Sequence, residues 1–188
     1  MKDQRGIMLI EVLVSMFIAA IALLGTIALS MNSSRSQMES YQRVQALTLV
    51  QDMVSRINAN RQVAACYSNG ATGTVTNTTL PTCSTSIVSG STTQQQSTAN
   101  ADLTAWQSEL QGAAEVNGGV KAGAMIGAIG CITQTDAVNN VYSVTVAWQG
   151  LSSTVVNSYL TCGSGSFGAS DALRRAVTVQ VRIGNLSS

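Results

Sequence analysis

Residues 7–31 read IMLIEVLVSMFIAAIALLGTIALSM, and only Glu11, Ser15, Thr26 and Ser30 interrupt an otherwise apolar or small run. At about 1.5 Å per residue, a helix of this length exceeds the roughly 30 Å of bilayer hydrocarbon. No later segment comes close, because residues 120–132 are short and rich in glycine. One membrane span is the expectation. The preceding MKDQRG carries Lys2 and Arg5, and basic residues beside a first span favour a cytoplasmic N-terminus with the remainder outside.

Glu11 is the informative residue of that run. An ionisable side chain inside a span costs several kcal/mol unless it snorkels or finds a partner, which makes it a functional candidate. The bland reading is that Glu11, near the start of the run, reaches the headgroups. A secretory signal is a rival for the whole segment, with Ala28-Leu29-Ser30 as a loose cleavage site; a plain uncleaved anchor is another. The run is longer than the usual apolar core of a secretory signal, and the acid near its start argues further against one.

The stretch RG-IMLIEVLVSM resembles the type III signal of type IV pilins and pseudopilins. The pattern is a short basic leader ending in glycine, an apolar residue, a glutamate fifth in the mature chain, and a continuous apolar helix. The resemblance implies that prepilin peptidase cuts between Gly6 and Ile7 and methylates the new amine of Ile7. Phenylalanine is usual at that first position, and Ile7 departs from it. It also implies the role of Glu11. Cleavage creates a cationic amine in or near the apolar phase, and the acid of a neighbouring subunit neutralises it on docking.

After the span, residues 32–61 are expected to continue the helix, about 55 residues in all and near 80 Å if straight. Met38, Tyr41, Val44, Leu47, Val50, Val54 and Ile57 recur every three or four residues and are read as one apolar stripe facing the core. Arg35, Glu39, Arg43, Asp52 and Arg56 supply a polar side. Gly25 is the weak point within the span, and the kinking proline of many major pilins is absent, the single proline being Pro81.

Residues 62–101 contain no charge and read as a long polar loop. Asn77-Thr78-Thr79 has sequon form, with a chance match favoured. Asp102 is placed to cap a short helix over 103–111 that buries Leu103, Trp106 and Leu110 and ends at Gly112. Tyr142, Val144, Val146 and Trp148 alternate with polar or small residues, as do Val177, Val179, Val181 and Ile183. Both patterns predict strands with one buried face. Residues 126–133 and 154–160 are weaker strand candidates. The expected fold class is α+β, three or four antiparallel strands covering the long helix.

The four cysteines, Cys66, Cys83, Cys131 and Cys162, suggest two disulfides and an oxidising compartment. Three pairings are open. Cys66–Cys83 with Cys131–Cys162 is favoured because each closes a modest loop, worth about 3 kcal/mol in the chain-entropy model.

A second resemblance narrows the first. ALTLVQDMVSRINANR, residues 46–61, is similar to the helix end of PilV-type minor pilins, also called pilus modification proteins. The segment around Asp102, Leu103, Trp106 and Leu110 and the strand from Tyr142 to Trp148 also fit. A Leu-Pro-Gly-type turn usual in that group is replaced here by Asn117-Gly118-Gly119.

Nothing in the sequence points to catalysis. The chain has no histidine, no phosphate-binding glycine motif and no nucleophile elbow. Asp102, Glu109, Glu115, Asp136 and Asp171 are scattered carboxylates. Without residues 1–6, ten basic residues lose Lys2 and Arg5 and nine acidic ones lose Asp3, so the charges balance. Arg174-Arg175 is the one basic pair, read as a solvated loop or strand edge rather than a DNA contact.

The expected organisation is a leader over 1–6, a transmembrane half-helix over 7–31, an amphipathic half over 32–61, a polar loop over 62–101 and a head over 102–188. The first functional reading is a minor pilin of a priming or tip complex. A minor pseudopilin of a type II secretion system and a single-span binding protein are the alternatives. Expected partners are other minor pilins and the major pilin through the N-terminal helix, prepilin peptidase, the inner-membrane assembly platform and a tip adhesin. No nucleic acid, small-molecule substrate, cofactor or metal is expected. The expected location is the bacterial inner membrane, with the head periplasmic, and then the pilus or cell surface.

Overall fold

A computed structural model describes residues 5–71, 73, 79–112, 116–117, 120–121, 125–155 and 157–184, with side chains from residue 9 onward except at 116–117 and 120–121. Two compact units, Met1–Ser40 and Tyr41–Ser188, divide the chain. One helix, α1 (Arg5–Ala59), runs through both. Of the residues singled out above, Lys2, Asp3, Asn77, Thr78, Glu115, Gly118 and Gly119 lie outside the described residues.

The described residues of the first unit are all helical, and Leu9, Leu13, Phe17, Leu24 and Leu29 among them are exposed. The hydroxyls of Ser15 and Thr26 donate to the carbonyls of Glu11 (2.5 Å) and Leu23 (2.8 Å), one turn back. A polar side chain satisfied by its own helix can sit in an apolar medium without water.

In the second unit a 3-10 turn, Arg61–Tyr67, follows α1, then α2 (Thr93–Leu110), a hairpin of β1 (Val116–Asn117) and β2 (Val120–Lys121), and β3 (Ile126–Asp136), β4 (Val141–Gln149) and β5 (Arg174–Arg182). The last three form one antiparallel sheet in sequence order. The fold is α+β, a long N-terminal apolar helix with a three-stranded antiparallel sheet. Residues 154–160 contribute no strand among the described residues.

The core forms where α1 meets that sheet. Ala46, Val50, Met53 and Ile57 are fully buried, at spacings of four, three and four that keep one face inward. The expected stripe is therefore corrected in its first half: Met38, Tyr41 and Val44 are exposed, while Val50 and Ile57 are buried. Residues taken at steps of three turn through about 300°, so each falls about 60° behind the last and the row winds off the buried face. Tyr142, Val144, Val146 and Trp148 of β4 pack on the same core, with Val177, Val179 and Val181 of β5 beside them.

Helix α2 begins at Thr93 rather than near Leu103. Thr92 caps it, its hydroxyl accepting from the Gln95 amide (3.2 Å) while the Gln95 side chain accepts from the Thr92 amide (2.9 Å). This reciprocal pair satisfies two amide donors at the helix start, so the end of the polar stretch is helical, not loop. Asp102 lies inside α2 and caps nothing. Leu103, Trp106 and Leu110 are buried as expected, and Ala99, one turn before Leu103, is buried with them.

The sheet is also buried on its second face. Ile129, Cys131, Ala147, Cys162 and Phe167 form a smaller cluster there, under the segment between β4 and β5. The alternating strand pattern predicted one buried face only. Ala147 and Thr145 are small enough to read as surface, yet both are covered.

Candidate functional site

The residues expected to drive assembly lie in the first unit. Gly6 and Ile7 are in the first turns of α1, their side chains outside the described set, and Glu11 follows one turn later on an exposed position. Leu9, Ile10, Val12 and Leu13 around it are exposed apolar residues. Among the described residues, one helix is long and apolar enough to cross a membrane: its best window has a mean hydropathy of 2.6 and no buried residue. Chemically, the segment offers a carboxylate in an apolar surface that this chain does not cover. An isolated charge in such a surface favours a cationic partner, since pairing reduces the cost of removing both from water.

The head carries four cysteines, which the structure joins as Cys66–Cys83 and Cys131–Cys162, with sequence separations of 17 and 31. The first links the turn after α1 to the approach to α2. The second links β3 to the segment covering the second sheet face.

An ionic junction unseen in the sequence ties α1 to α2. Arg56 donates to Asp52 on its own helix (2.6 Å) and to Glu109 (2.9 Å) and Asp102 (3.4 Å) on α2. Burial works to lower the Arg56 pKa, but hydrogen bonds and charge from Asp52, then Glu109 and Asp102, outweigh it and raise the value. The Tyr67 hydroxyl donates to the other oxygen of Asp102 (2.6 Å), and burial, then this bond, pushes the phenol well above its ordinary range. The indole N–H of Trp106 donates to the Leu49 carbonyl (2.9 Å), fixing the same two helices. Arg56 and Asp52 at i, i+4 were visible as a helix pair; the α2 partners, 46 and 53 residues away, were not.

Arg174 is the main correction among the candidate residues. It is not solvated but 8% exposed, at the start of β5. Its guanidinium donates to the carbonyls of Leu160 (2.5 Å), Cys162 (3.0 Å) and Asn157 (3.2 Å), and it lies 3.8 Å from Asp171. Asp171 accepts from the amides of Gly165 (2.8 Å) and Phe167 (3.2 Å) and from the Ser164 hydroxyl (3.3 Å). The Gly165 amide holds its carboxyl below the usual range; burial opposes this, and the Phe167 amide and Arg174 add to the lowering. Arg175 donates to the Ser152 carbonyl (2.8 Å). The pair is thus a clamp on the segment between β4 and β5. Among the described residues no group of three or more His, Cys, Asp or Glu could hold a metal ion.

A family model described as Tt1218-like, Type IV pilin Tt1218, matches residues 28–104. Comparison with curated proteins gave no match, and neither did comparison with solved structures. The matched stretch starts inside the apolar run, takes in the buried face of α1 and the Cys66–Cys83 loop, and ends within α2 beside the Arg56 junction. It therefore covers the elements that join helix to head, and over that stretch the chain is similar to a type IV pilin; the long apolar helix and three-stranded antiparallel sheet are consistent with that likeness.

Proposed function

We propose that the chain is a minor pilin of a type IV pilus, of the PilV type, acting in a priming or tip complex. Type IV pilins are structural subunits, and the chain is read as one rather than as an enzyme. The observation that carries the reading is Glu11, exposed on an apolar helix one turn after Gly6-Ile7. In this reading prepilin peptidase cuts after Gly6 and methylates Ile7, and the head lies in the periplasm until the subunit leaves the inner membrane. The ammonium at Ile7 is then matched by the Glu11 carboxylate of a neighbouring subunit, so two charges that are costly in lipid become one pair. Other minor pilins, the major pilin, the assembly platform and a tip adhesin are the partners this implies.

The test replaces Glu11 by alanine in cells with an active processing peptidase. The variant should be shortened by six residues like the wild type, yet be depleted from sheared pili as read by mass spectrometry. Normal recovery of Glu11→Ala from pili would overturn the pairing, and a native chain that retains residues 1–6 would overturn the processing. A minor pseudopilin of a type II secretion system shares these N-terminal features; loss of secreted protein rather than of pili on deleting the gene would select that role.

A further inference from the structure

The three-stranded sheet has two edges, β3 and β5, and among the described residues the chain closes only the first. Along β3, Ser68 and Asn69 take up the outward backbone. The Asn69 amide and the Ser68 hydroxyl donate to the Ile132 carbonyl (3.1 Å each). The Asn69 side chain donates to the Gly130 carbonyl (2.9 Å) and accepts from the Ile132 amide (2.6 Å).

Along β5, the register decides which groups point outward. The Ile183 amide donates to the Asn140 carbonyl (2.9 Å) and the Gly150 amide to the Leu173 carbonyl (2.7 Å), so the odd-numbered residues of β5 bond to β4. The N–H and C=O groups of Ala176, Thr178, Gln180 and Arg182 therefore face away from β4, and none of these backbone groups has a hydrogen-bond partner among the described residues. The strand, RRAVTVQVR, holds no proline or glycine and pairs with β4 without a bulge, so the usual devices that blunt an edge are missing. A row of alternating donors and acceptors fits one kind of ligand, another extended chain.

Charge narrows the choice of that chain. Residues 172–188 contain three arginines and no acid. A second copy's β5, paired antiparallel about Thr178, would set Arg182 opposite the other copy's Arg174, and parallel pairing in register would set arginine beside arginine; like charges so placed are destabilising. A second copy's β3 edge is already taken by Ser68 and Asn69. Arg182 is exposed and makes one long bond, to the Asn139 side chain (3.4 Å), which leaves most of its donors for a partner. Asp136 lies near enough to feel that charge but is held by Asn139 and the Val138 amide. On the core-facing side, Val177, Val179 and Val181 are only partly buried and offer apolar surface to a neighbouring strand.

We propose that β5 accepts an extended acidic segment of a different protein as a fourth strand, with apolar residues beside Val177, Val179 and Val181 and a carboxylate at Arg182. The pairing needs only the sheet edge, so it stands or falls apart from the pilin reading.

The probe is the peptide Glu-Val-Thr-Val-Thr-Val-Glu, blocked at both ends and added to the full chain in detergent, with amide hydrogen exchange read by NMR. Bound peptide should slow exchange at Ala176, Thr178 and Gln180 at least about tenfold. The same peptide with both glutamates changed to lysine should bind at least about threefold more weakly, and Arg182→Glu should reverse that order. Gln180→Pro, which removes one outward N–H and no bond to β4, should weaken the acidic peptide about tenfold. Circular dichroism melts matching the wild type would show both variants folded. Edge pairing with an acidic strand is overturned by no slowing at about 1 mM peptide, by equal slowing with prolines in place of the threonines, or by an unchanged order in folded Arg182→Glu. Protection of these amides in the chain alone, growing with its concentration, would assign the edge to a second copy and overturn it too.

Discussion

Arg174 and Asp171 show how burial changes the meaning of a charged residue. Arg174 satisfies three carbonyls that would otherwise lose their hydrogen bonds under the covering segment. A charge-assisted hydrogen bond contributes about 1.5–3 kcal/mol, so Arg174→Met should cost at least that much stability in urea denaturation of the full chain in detergent. Arg175→Met, with the same charge change on an adjacent position, should cost less. Asp171 gives a pH prediction with a definite sign. Its folded-state pKa is depressed, so its contribution is present above the ordinary carboxylate pKa of about 4 and is lost as pH falls through the lower folded value. Asp171→Asn should flatten the loss of stability with acid below about pH 4; an acid limb as steep as that of the wild type would count against this role.

At the scale of elements, the close approach of α2 to β3 depends on one missing side chain. A Cβ on Gly130 would stand 2.3 Å from Trp106 Cζ3 and 2.6 Å from Leu110 Cδ1. Gly130→Ala should therefore force the two elements apart, at a cost of about 1–3 kcal/mol, measurable as a fall in denaturation midpoint together with a changed Trp fluorescence. The start of α2 rests on local chemistry instead. Thr92→Ala removes half of the capping pair and should cost about 1 kcal/mol. That cap is legible in the sequence as Thr-x-x-Gln, but the uncharged, polar composition of residues 62–101 is equally that of a loop. The strands from Tyr142 and Val177 were legible because alternation is a local signal. Their second buried face was not, since it depends on a segment that folds back over them.

For the whole molecule, the two disulfides fix the segments that carry no regular structure. Cys131–Cys162 spans 31 residues and anchors the segment that, with the Arg174 clamp, covers the second sheet face. Replacing both cysteines by alanine should lower stability by about 3–4 kcal/mol in the chain-entropy model, and should expose Phe167 and Ile129 to a hydrophobic dye such as ANS. A variant of equal stability that binds no dye would mean that Arg174 and Asp171 hold the cover alone. In the first unit, by contrast, the apolar side chains among the described residues, from Leu9 to Met38, are exposed, so their stability is a matter of the medium around them.

By itself the sequence determined the features that are local along the chain: the apolar run with Glu11, the continuous helix with no proline before Pro81, the helical face of Leu103, Trp106 and Leu110, and the alternating strands. These follow from 3.6-residue and two-residue periods and from transfer of side chains out of water, which need no knowledge of the fold. Tertiary structure alone decided which face of α1 is core, which carboxylates meet Arg56, and that Arg174 is buried. Each of those depends on residues tens of positions apart arriving at one place, and no periodicity along the chain encodes that distance.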